Sequence, residues 1–180
     1  MFKVSLREEY IINSDNSARY VLGKYHCRPL IVFGINPSVA TLEKNDSTIS
    51  IVERIAENRG CDGYLMMNIY PLRATNIQKG FPQNCDYEVC NSNYRYIKER
   101  ISKGDTVVAA WGTHICDRAY FIESLKKIHD IVKENGASWV CLSKTKQGHP
   151  HHPTRLAYEK MTFEPFDMDD YLSAILQKKK

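Results

Sequence analysis

The chain has 180 residues, 43% of them hydrophobic and 26% charged, with a formal net charge of +4. That length and balance fit one globular domain with its own core and exclude a disordered or low-complexity chain. No apolar run approaches the ~20 residues that cross a bilayer, and MFKVSLREEY at the start carries charges where a secretion signal has an apolar centre. A cytoplasmic protein with no membrane partner is the expectation.

In chain order, residues 1–29 come first. FKVSLREEYIIN and ARYVLGKYH alternate polar with apolar residues, the pattern of an antiparallel hairpin packed on the edge of a core. Four short, nearly continuous apolar runs follow, at 30–38 (LIVFGINPS), 63–71 (GYLMMNIYP), 105–113 (DTVVAAWGT) and 138–143 (SWVCLS). Such runs fit strands covered on both faces, hence a parallel sheet. Helical periodicity fills the gaps: 48–59 after a cap at Asp46 or Ser47, 86–102, 114–135 closed by Gly136, and 167–177. The expected fold is a three-layer αβα domain with a small, mostly parallel four-stranded sheet and an N-terminal antiparallel hairpin. The domain spans 1–180, with its motifs in 30–156 and a helix and lysine tail in 157–180.

The six cysteines, at 27, 61, 85, 90, 116 and 141, are scattered and include no C-x-x-C pair. They read as reduced thiols rather than a disulfide framework or zinc site. No cofactor is expected.

Ligands of an open parallel sheet sit outside the carboxyl ends of its strands. Four polar segments follow those ends here: Asn36-Pro37-Ser38; Asn68 with Arg73-Ala74-Thr75; Gly112-Thr113-His114; and Lys144 to Arg155. Each residue also has a plain structural reading. Asn36 and Pro37 are turn formers, and Asn68 can cap a strand end. Asp46 is first of all a helix cap, although a carboxylate on this rim can also activate water. The loop KTKQGHPHHPTR holds His149, His151 and His152 among Lys144, Lys146 and Arg155. It fits phosphate contact, a solvated polar loop or, with His114, a metal site.

The order NPSVA, NDSTI, NIYPLRAT, AAWG, GHPHHP resembles a bacterial and phage family of unknown function, DUF1643. More distantly, Gly34-Ile35-Asn36-Pro37, GYLMMN ending in Asn68, and His152-Pro153-Thr154-Arg155-Leu156 resemble the two catalytic motifs and the middle strand of uracil-DNA glycosylases. That resemblance implies that Asn36 positions the attacking water, Asn68 reads a flipped base, and His152 stabilises the departing base. It also implies that Leu156 wedges into the stack. Ser38 replaces a bulky tyrosine and leaves room for a substituted base, while Arg155 replaces the last motif's second proline.

The expected function is therefore a glycosylase-like hydrolase acting on a base in nucleic acid or on a nucleoside. Its expected catalytic residues are Asn36, His152 and Asp46. Asn68, Ser38, Gly34, Arg73 and His149 would bind substrate, and Lys144, Lys146, Arg155 and Leu156 would face a nucleic-acid backbone. Two alternatives stand beside it. One is a non-catalytic nucleic-acid or nucleotide-binding module with a basic face that includes Arg73 and Lys79. The other is a metal-dependent hydrolase built on the histidines.

Overall fold

The two-residue period of a β-strand decides this architecture, because it deals alternate side chains to opposite faces of one sheet. The computed structural model describes residues 5–74, 80–157 and 161–177. The strands are β1 (Arg7–Ile12), β2 (Arg19–Tyr25), β3 (Leu30–Gly34), β4 (Tyr64–Asn68), β5 (Thr106–Ala109), β6 (Ser138–Cys141) and β7 (Glu164–Pro165). The helices are α1 (Ser47–Asn58), α2 (Tyr87–Lys98), α3 (Ala119–Glu134) and α4 (Met168–Gln177).

Ile31, Phe33, Leu65, Met67, Val107, Ala109, Trp139 and Cys141 enter one core, shared with α2, α3 and α4. Their neighbours Leu30, Val32, Tyr64, Met66, Val108 and Ala110 enter a second core under α1. Each run reads as continuously apolar because each face has a lid of its own.

The sheet order is β1-β2-β4-β3-β5-β6-β7. The four central strands, β4, β3, β5 and β6, are parallel. The expected four-stranded parallel sheet is thus the centre of a mixed, seven-stranded one. The amino-terminal hairpin does not merely pack on the edge, since β2 pairs antiparallel with β4 through Leu22–Met66, Gly23–Leu65 and Lys24–Tyr64. On the far side β7 adds two antiparallel pairs to β6.

The helices start where their chemistry directs. Asp46 caps α1 by accepting from Ile49 N at 3.0 Å, and Asp86 caps α2 by accepting from Val89 N at 3.1 Å. The helix expected over 114–135 is two pieces, a 3-10 turn at Gly112–Cys116 and then α3, with extended backbone at Arg118 between them. Gly136, at φ +68°, follows α3 as expected. No described helix is long and apolar enough to cross a membrane.

Candidate functional site

The rim at the carboxyl ends of β3, β4 and β5 opens into a cavity of about 650 Å3. That volume suits a small organic ligand. Asn36, Asp46 and His152 line it together, along with Gly34, Ser38 and Arg155. They come from the loop after β3, the start of α1 and the turn after β6.

Asn36 leaves β3 through two bonds of its amide, Nδ2 donating to Pro37 O at 2.9 Å and to Ala74 O at 2.8 Å. Both amide protons are committed to backbone, so Oδ1 is the atom left to accept from a ligand or water. Asp46 commits one carboxylate oxygen to its helix cap, and the other remains for the cavity.

Asn68 is fully buried. Its backbone carbonyl accepts from Asn93 Nδ2 at 2.9 Å, but neither its side-chain oxygen nor its nitrogen has a hydrogen-bond partner. Two unpaired buried amide atoms are costly, by about 1–3 kcal/mol for each lost partner. The amide lies behind Gly34: a Cβ there would stand 3.1 Å from Asn68 Oδ1 and 2.7 Å from Met66 Cε. Gly34 lines the cavity and Asn68 does not, so the amide stands behind the Gly34 backbone.

His152 precedes a 3-10 turn, Pro153–Arg155, and caps it, its Nδ1 accepting from Thr154 N. An accepting Nδ1 places the neutral ring's proton on Nε2. Burial lowers the His152 pKa from its ordinary value, with the charge of Arg155 acting in the same direction and Asp46 opposing both. The ring is thereby held as a neutral donor. Gly112, at φ +71°, donates to Pro150 O at 3.0 Å and brings the turn after β5 against this loop.

Other candidates have structural partners. The Arg73 guanidinium donates to Ser38 O, to Tyr10 Oη at 2.8 Å and to Asn16 Oδ1 at 3.2 Å. It ties the hairpin to the Asn36 loop and is not among the lining residues. His149 is buried, and its Nδ1 meets Tyr171 Oη at 2.8 Å. Tyr171 in turn accepts from Trp111 Nε1 at 3.2 Å. His149 therefore braces the wall residue Trp111. Leu156 is half-buried against the α1 core. Lys144 and Lys146 are exposed, Lys144 over the Phe166 ring. Thr75, Lys79 and the tail from Lys178 to Lys180 lie outside the described residues. Among the described residues no three His, Cys, Asp or Glu side chains are grouped to hold a metal ion.

Arg19, Thr48 and Thr145 line the cavity although the sequence did not single them out. Arg19 is 2% exposed, and Nη1 donates to Ala40 O at 2.8 Å. Its pKa is pushed down to about 10, first by burial and then by the like charge of Arg73. The sequence signal was faint: a charged residue opening a strand whose next three residues are Tyr20, Val21 and Leu22.

Fold and site together define a mixed-sheet α/β protein with a cavity at the carboxyl ends of its parallel strands, lined by two arginines, three histidines and one aspartate among other residues. The chain belongs to the family described as protein of unknown function (DUF1643), whose model matches residues 19–154. That span begins at Arg19 and includes His152. No curated protein and no solved structure matches the chain.

Proposed function

We propose that this protein is a glycosylase-like hydrolase that cleaves the N-glycosidic bond of a base in nucleic acid or a nucleoside. The observation that carries the reading is the meeting of Asn36, Asp46 and His152 on one cavity, with the unpaired amide of Asn68 behind its floor. The distant resemblance of the same segments to uracil-DNA glycosylases supports it.

In this reading Asn36 Oδ1 accepts from the attacking water and orients its lone pair toward the anomeric carbon. The free oxygen of Asp46 takes the water's proton as the new carbon–oxygen bond forms. The carbon–nitrogen bond breaks with both electrons leaving on the base, where negative charge collects. The Nε2–H of His152 stabilises that charge as a fixed donor. Asn68, able to donate and accept at once, reads the edge of the base, and the small Ser38 admits a substituted ring.

The test is direct. Labelled oligonucleotides carrying uracil, mismatched thymine, hypoxanthine or oxidised pyrimidines are incubated with protein and then cut at abasic sites with hot alkali. Nucleosides and nucleotides are followed in parallel by chromatography of released base. Release that disappears in Asn36→Ala is the expected result. If no substrate yields base, the proposal fails, and salt-sensitive binding without turnover identifies a nucleic-acid-binding module instead.

A further inference from the structure

The cavity has one strong feature that base chemistry leaves unexplained, the buried guanidinium of Arg19. It lines the cavity and is 2% exposed. One amino group is bonded to Ala40 O, while Nε has no partner. Among the described residues no carboxylate forms an ion pair with it. Asp46 acts on the guanidinium across the cavity without touching it, and a buried cation with no carboxylate in contact is costly, so an anion brought to it offsets part of that cost.

The surroundings favour an anion too. A second guanidinium, Arg155, shares the lining with Arg19, and the neutral His152 adds a ring donor, against a single carboxylate, Asp46. Thr48 and Ile49, from the first turn of the twelve-residue helix α1, also line it. That turn carries the positive end of the helix dipole. Arg73, anchored behind the same loop, adds its charge at Arg19.

We infer that the cavity contains an anion subsite built on Arg19, and that the substrate is a nucleotide bearing a phosphate there rather than a neutral nucleoside or free base. The phosphate end meets Arg19 and the base end meets Asn68 and His152. Guanidinium is the side chain best matched to phosphate oxygens, because it donates in a planar fork and stays charged when buried. The assignment of the base end rests on the proposed hydrolase; the anion subsite itself does not.

Calorimetric titration of the full chain with inorganic phosphate, a nucleoside, its 5′-monophosphate and a trinucleotide tests this. Wild type is compared with Arg19→Gln and with Lys126→Gln, an exposed cation of α3 outside the cavity lining. Phosphate and at least one phosphate-bearing ligand are expected to bind, with affinity falling at least thirtyfold in Arg19→Gln and less than threefold in Lys126→Gln. Preference for the monophosphate identifies a terminal phosphate, and preference for the trinucleotide a backbone phosphodiester. Equal affinity for nucleoside and monophosphate overturns the inference, as does unchanged phosphate binding in Arg19→Gln. If Arg19→Gln does not fold, Arg19→Lys decides: it keeps the cation without the fork, so about tenfold weaker phosphate binding is expected, and unaltered binding is fatal. Phosphate binding without base release would refute the hydrolase and leave the subsite standing. Base release without any phosphate preference would do the reverse.

Discussion

Two cavities of nearly equal volume, about 650 and 670 Å3, lie at opposite ends of the parallel strands. The second sits at the amino ends, between Arg28, Pro29, Ile31, Glu9, Arg100 and Asp105. Arg100 there is paired: its Nε donates to Glu9 Oε2 at 2.6 Å, and the two side chains are 16% and 20% exposed. Tyr25 Oη donates to the same carboxylate. At the carboxyl ends, Arg19 and Asn68 keep buried polar atoms unpaired. Volume does not separate the two cavities, but hydrogen bonding does. One has the internal pairing of a structural joint, and the other has the open valences of a place that waits for a ligand.

The comparison breaks or sharpens under substitution. The largest expected effect is on turnover. Asn36→Ala lowers base release by about 10²–10³-fold, the usual cost of losing one fixed polar group at a reacting centre. Arg100→Met, in the other cavity, leaves turnover unchanged. Stability reverses the order. Arg100→Met strands Glu9 without its cation and costs about 1–3 kcal/mol in denaturant unfolding, after allowance for partial exposure. Arg19→Met removes a lone buried charge and costs less than about 1 kcal/mol. A larger loss at Arg19 than at Arg100 would make Arg19 a structural residue and erase the contrast.

Gly34→Ala is smaller still in stability, because the nearest obstruction is the mobile end of Met66. Pushing Met66 or Asn68 aside nevertheless reshapes the cavity floor, so base release falls about tenfold or more. Unaltered kinetics would remove Asn68 from the site. The last effect is a pH dependence. The folded-state pKa of His152 is lowered, so its contribution to stability is present above the unfolded value near 6.5. That contribution is lost as pH falls from there through the folded value. His152→Gln flattens this part of the melting-temperature profile, and an identical slope in the variant would show that burial does not hold the ring neutral.

The sequence revealed the frame of this molecule better than its joints. Leu30 to Gly34 and Tyr64 to Asn68 were legible as buried strands because each is apolar on both faces, a local property. The pairing of β2 with β4 was not legible, since nothing in ARYVLGKYH says which strand edge it meets. The break at Asp117-Arg118 carries neither glycine nor proline to mark it. Strand β7 is two residues long, below any periodic signal. In the site, Asn36, Asp46 and His152 could be gathered in advance because a parallel sheet sends its loops to one rim. Arg19 could not, because it reaches that rim from an antiparallel strand. Arg73 and His149 read as ligand contacts by residue type. Only the fold shows Arg73 donating to Ser38 and Tyr10 and His149 Nδ1 engaged with the Tyr171 hydroxyl.

The bond chain from Trp111 through Tyr171 to His149 has a consequence for the order in which the molecule can be made. Tyr171 belongs to α4, which follows every other described element along the chain. A chain leaving the ribosome can pair its parallel strands and seat α1 while the hydroxyl that joins Trp111 to His149 is still unsynthesised. Trp111, a wall residue of the cavity, therefore gains its Tyr171 partner only once the last described helix has been made.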